Sequence, residues 1–219
     1  MNIQKTCGCM AAADDYGCRF VRPLDVDAGW TDEGNGASVG SALAIDVKTI
    51  GGGPKTGAII RLNLRQFEYD HAGAVTWIGE QYEWFEDPGC PVPREVTAST
   101  GISDDMLMGQ AIEDWVVTDM LQEASVVIAH GVGTVRPWIE RRLEGARDLY
   151  WACSMFEVDW YARGFDGVLL RYLLMQAGYQ HDRDRPGAAV DAIVQMLRHR
   201  DGTGRTVLSE MLAHVCRPS

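Results

Sequence analysis

A chain of 219 residues, 46% of them apolar, is long enough for one domain with a sizeable core and an extra arm. Its net charge of −11 argues against strong non-specific nucleic-acid binding, which needs Lys and Arg to displace counterions, but leaves room for a local basic cleft. No run of 18 apolar residues suggests a membrane span, and the opening MNIQKTCGCMAAADDYGC lacks the apolar core of a signal peptide, so a cytoplasmic protein is expected.

Residues 1–40 read as an irregular N-terminal arm, rich in Gly, Asp and Ser and without a period, and residues 41–219 as the domain. The arm carries Cys7, Cys9 and Cys18. A zinc site wants a second close pair, so reduced thiols are the expectation for these and for Cys90, Cys153 and Cys216. From Ala42 the pattern sharpens. ALAIDVKT is a buried strand, GGGPKTG a turn, AIIRLNLRQFEYD a long strand, DHAG a turn and AVTWIGEQYEWF a third strand. DPGCPVPREVTASTG is a proline-punctuated loop. SDDMLMGQ and AIEDWVVTDMLQEA read as helices, SVVIAHG as a buried strand, and TVRPWIERRLEG as a helix with Pro137 tolerable only in its first turn. DLYWACS is a fifth strand. MFEVDWYARG, GVLLRYLLMQAG, AAVDAIVQMLRHR and GRTVLSEMLAHVCR follow as helices. This order predicts an α/β fold with a five-stranded mixed sheet flanked by helices.

Four strings in this order, between Ala42 and Leu197, carry a resemblance. They are AIDVKT, PVPREVTASTGISDDML, VVIAHGVGTVRPWI and AAVDAIVQML. Together they resemble the DEDD superfamily of 3′–5′ exonucleases, with its ribonuclease H-like fold, and most of all the branch of the epsilon subunit of bacterial DNA polymerase III. The resemblance implies two divalent ions on four carboxylates, one activating a water and the other steadying a leaving oxygen, with a histidine as general base.

Carried over residue by residue, that centre is degenerate. The first acid matches Asp46, but the second falls on Lys48. The third falls on Val135, and the fourth on Asp191. The base falls on Pro186, and a Glu expected early in the second strand is replaced by Arg61. Residues 46 and 48 alternate onto the same strand face, so an ammonium stands where a second carboxylate belongs. Repulsion between +2 and +1 at ~4 Å is roughly 8 kcal/mol at an effective dielectric near 20. Lys48 is therefore expected to take the metal's place and bridge Asp46 to Asp191. Glu140, Asp182 and Asp184 are the candidate replacement acids for a rebuilt site.

Other features stay open. Among seven tryptophans, Trp77 and Trp84 lie seven apart on one strand, and one of them can stack on a base. Arg183 and Arg185 in HDRDRPG can form a basic rim, although the interleaved aspartates favour a salt-bridged surface. The arm can also fold over the relic centre.

Three functions follow. The first is an exonuclease-like pseudoenzyme without cofactor that binds a protein partner or a nucleic-acid end. The second is an active 3′–5′ exonuclease using Mg or Mn through replacement acids. The third is a structural subunit forming a homodimer through its helical face.

Overall fold

The computed structural model describes residues 22–34, 37–180, 185 and 187–215. One mixed sheet organises them, in the strand order β1-β4-β3-β2-β5-β6. The strands are β1 (Gly29–Trp30), β2 (Gly40–Ile50), β3 (Ala58–Tyr69), β4 (Val75–Phe85), β5 (Val126–Ala129) and β6 (Trp151–Cys153). β1 to β4 pair antiparallel, while β5 runs parallel to β2 and β6 parallel to β5. The sheet thus has six strands where the sequence suggested five. The extra one lies in the segment read as irregular arm. Gly29 and Trp30 pair with Ile78 and Trp77, and Thr31 donates from its backbone to Thr76 O at 3.0 Å. Two residues are too few to show a period.

Strand alternation builds two apolar layers. Ala42 and Ala44 face α5 (Leu170–Gln176), α6 (Ala188–Arg198) and α7 (Val207–Val215), sharing a cluster with Leu173, Val190, Ile193, Val194 and Leu208. Leu43 and Ile45 face the other way, onto α3 (Asp114–Glu123) and α4 (Val132–Arg142), with Val117, Leu121, Val135 and Ile139. The remaining helices are α1 (Arg94–Thr100) and α2 (Asp104–Leu107).

Local departures from the sequence reading have local causes. The proline-punctuated loop contains α1. Pro93 presets its entry with φ −57°, and Gly101 closes it at φ 73°, its N–H donating to Thr97 O. MFEVDWYARG forms turns, not a helix. There the Trp160 indole is buried and donates to Ser154 O at 2.8 Å, which folds the chain back on β6. Helix α4 begins at Val132, so Pro137 lies in its interior instead of its first turn.

The segment from Arg22 to Glu33 packs on the domain. Val26 joins the core, and the Arg65 guanidinium donates to Val26 O. Gln195 Oε1 accepts from the Asp25 backbone at 2.7 Å, and Arg198 donates to Glu33 at 2.8 Å. Asp191, Gln195 and Arg198 form a buried polar stripe along α6, at the four- and three-residue spacing of one helix face. Arg65 and the arm cover it.

Candidate functional site

Cross-strand register sets out the site row by row. Asp46 on β2 stands opposite Asn63 on β3, which stands opposite Glu83 on β4. One row along, Lys48 stands opposite Arg61; one row back, Ala44 stands opposite Arg65. Residues paired this way share a face, so Asp46, Lys48, Arg61, Asn63, Arg65 and Glu83 form a polar patch on the α6 side of the sheet. Helix α6 adds Asp191 from its first turn, 1% exposed.

Each carboxylate in the patch has its own cation or amide. Lys48 Nζ donates to Asp46 Oδ2 at 2.7 Å, with the two side chains 32% and 21% exposed. Asn63 donates to Glu83 at 2.9 Å, and Arg61 Nε lies 3.9 Å from the same oxygen. Asp191 is held by two guanidiniums: Arg65 Nη1 lies 3.4 Å from Oδ1, and Arg185 Nη2 bonds Oδ2. The expected Lys48 bridge between Asp46 and Asp191 is therefore only half formed. The reason lies on β3, where Arg65 reaches Asp191 from the next row and leaves Lys48 free to fold back on its own strand neighbour.

Val135 is buried with Ile45 and Ile139 in the opposite layer, where it adds apolar bulk and no polar atom. Glu140 is tied to Arg136 at 2.6 Å across one turn of α4, a solvated helix pair of the ordinary kind. Pro186, Asp182, Asp184 and Arg183 lie outside the described residues. Trp77 is half-buried, its ring over Gly79. Trp84 is half-buried, stacks on Tyr82 at 5.8 Å, and donates to Glu113 at 3.1 Å. Cys90 and Cys153 are free thiols.

His130 sits beside the patch. Its Nε2 contacts Val168 O at 2.8 Å and its Nδ1 the Ser154 hydroxyl at 3.0 Å. A carbonyl only accepts, so Nε2 carries the proton and the serine donates to Nδ1. Burial lowers the imidazole pKa. The Val168 carbonyl and the Asp46 charge pull it back upward but do not prevail.

These residues do not fit a two-metal centre. Such a centre needs a convergent set of unpaired oxygen donors. Here Asp46 and Asp191 each already hold protein cations, and among the described residues no three Asp, Glu, His or Cys side chains are grouped to hold an ion. The sequence reading missed Arg65 and the Asn63–Glu83 pair. A signal was present in RLNLRQ: Arg61, Asn63 and Arg65 occupy alternate positions of a strand whose intervening residues are leucines. Three polar side chains on one face of a central strand mark a buried polar patch.

No family model matches the chain, and no curated protein matches it. Solved structures do. One is a 3′-exonuclease described for 3′-end specific recognition of a histone mRNA stem-loop, at 16% identity and a TM-score of 0.54, over 83% of this chain and 85% of that one. Another is the nuclease domain of 3′hExo, a DEDDh family member bound to rAMP, at 15% identity and a TM-score of 0.54, over 82% and 96%. A third is E. coli exonuclease I in complex with a 5cy-dT13 oligonucleotide, at 14% identity and a TM-score of 0.53, over 73% of this chain and 40% of that one. At such identities the likeness establishes the fold, which is that of the ribonuclease H-like 3′-exonucleases.

Proposed function

We propose that this chain is a diverged DEDD exonuclease, of the epsilon-subunit branch, that has given up two-metal catalysis and acts by binding. The carrying observation is that both acids matched by the resemblance are already neutralised, Asp46 by Lys48 and Asp191 by Arg65 and Arg185. A divalent ion must displace these cations before it meets a ligand. The solved neighbours hold an oligonucleotide and a nucleotide, which favours a nucleic-acid end as the bound species. The net charge of −11 confines that contact to a local basic surface.

Calorimetric titration with Mg²⁺ and Mn²⁺, with digestion of a labelled single strand by the same sample, tests this reading. The expected result is no saturable metal heat and no shortened product. Metal-dependent shortening, abolished by replacing Asp182 or Asp184, would establish a rebuilt active site instead.

A further inference from the structure

Beside the Lys48–Asp46 pair the sheet opens into a cavity of about 140 Å³. Three cations line it: Lys48, Arg61 and Arg185. Ser99 and Thr100 at the end of α1 and the first turn of α6 complete the wall, and among the described residues no carboxylate lines it. In a chain of net charge −11 this concentration of one sign needs a cause.

Arg61 is the informative member. Its side chain is 14% exposed, and its Nε is enclosed without a hydrogen-bond partner. Among the described residues the nearest carboxylate oxygen, on Glu83, is 3.9 Å away, too far for a hydrogen bond. A guanidinium has five donors and no acceptor, so its demand for acceptors is unmet by the described residues. It also faces Lys48 directly across the strands, and like charges so placed repel. Lys48 commits one of its three donors to Asp46. The acids Asp46, Glu83 and Asp191 lie in the patch behind, and among the described residues four cations, Lys48, Arg61, Arg65 and Arg185, face these three carboxylates. Helix α6 brings the positive end of its dipole to the same wall, through Ala188 and Ala189, whose small side chains let a ligand approach the backbone. The hydroxyls of Ser99 and Thr100 donate back to Val96 O at 3.0 and 2.7 Å and serve as polar wall.

The geometry points to a phosphate-binding site in which Lys48, Arg61 and Arg185 grip the anion directly, at the place where the family resemblance sets cations. This rests on the loss of metal binding inferred above, and it inverts the sign of what the centre holds. Size narrows the ligand. A water occupies roughly 30 Å³ of liquid, so the cavity suits one tetrahedral oxyanion with a water or two. It lies well below the roughly 300–1,000 Å³ of pockets that enclose whole organic ligands, so any nucleoside attached to the phosphate stays outside. Arginine supplies a planar fork for two oxygens and lysine a point charge. The phosphate is either free or the terminal group of a nucleic-acid strand.

The test uses the full chain in EDTA, so that no metal contributes. Inorganic phosphate is titrated with ³¹P NMR line width and thermal shift as readouts, beside matched oligonucleotides ending in a 3′-phosphate or a 3′-hydroxyl. Saturable phosphate binding is expected, weakened about tenfold or more by Arg61→Met and by the half-exposed Lys48→Met, the loss of one charge-assisted hydrogen bond. Arg136→Met, on the surface of α4, leaves it unchanged. Preference for the 3′-phosphate oligonucleotide over inorganic phosphate assigns the group to a strand end; equal affinity assigns it to the free ion. An absence of saturable binding by any of the three probes overturns the inference, as does binding undiminished in both Met variants. With no Mn²⁺ heat, that failure leaves the loss of metal binding standing. Phosphate binding that appears only with Mn²⁺ overturns both.

Discussion

Asp191 is the residue on which the patch turns. It is 1% exposed and its Oδ1 lacks a hydrogen bond, although Arg65 lies 3.4 Å from it. Two charges held inside a protein stabilise it little as a pair, but removing one strands the other. Asp191→Asn is therefore expected to lower the unfolding free energy by about 3 kcal/mol, read from urea midpoints. Adding Arg65→Met should restore part of that loss, because an apolar side chain of similar length needs no partner, while Val26 O gives up its donor. If the double variant is no better than the single one, the pair is not what holds this patch. The sequence made half of this visible. Asp46, Lys48 and Asp191 stood out because they match or break a known string. Arg65 did not, since it matches nothing and acts through contacts with Asp191 on α6 and Val26 O, both far from it in the chain.

At the scale of elements, α4 holds a contradiction that the sequence marked and misplaced. Pro137 lies in the helix interior, where it has no N–H for the carbonyl of Gly133 and its ring presses on that carbonyl. Gly133 is exposed, so water takes up the unmet acceptor. Pro137→Ala is expected to raise stability by about 2 kcal/mol, the helical gain less the entropy that proline removes from the unfolded chain. Thermal melts check this; an unchanged melting temperature means the helix is already kinked to suit the ring. The five longer strands were legible because alternation and turn residues bound them. β1 was not, because two residues carry no period. The turns after β6 were misread for a related reason. Their apolar residues repeat at helical spacing, yet Trp160 is fixed by a side-chain bond back to Ser154 O, a contact that apolar periodicity does not encode.

At the scale of the whole molecule, pH acts on stability through two imidazoles among the described residues, His130 and His199. Burial lowers the pKa of His130. Burial first, and then the Arg163 charge, lowers that of His199. Each pKa is lower in the folded than in the unfolded chain, so the unfolded state binds more protons in the interval between them. Their contribution is complete above the ordinary histidine value of about 6.5 and is lost as pH falls through the folded values. Urea midpoints are expected to drop between pH 7.5 and pH 5.5, and His130→Gln to flatten that slope. A slope unaltered in the variant removes His130 from the account and leaves His199 or the carboxylates as the source.

The interlocked charges of the patch also bear on how such a protein can change over time. Suppose a lineage were to recover ion binding. Losing Arg65 first leaves buried Asp191 with the Arg185 guanidinium but no cation from β3, and losing Lys48 first leaves Asp46 bare while Val135 still offers no ligand. Each first step lowers stability before any later step can restore chemistry, and the replacements lie on three separate elements of the fold. The arrangement works as a ratchet: easy to enter by neutralising one acid at a time, and hard to leave by any single substitution.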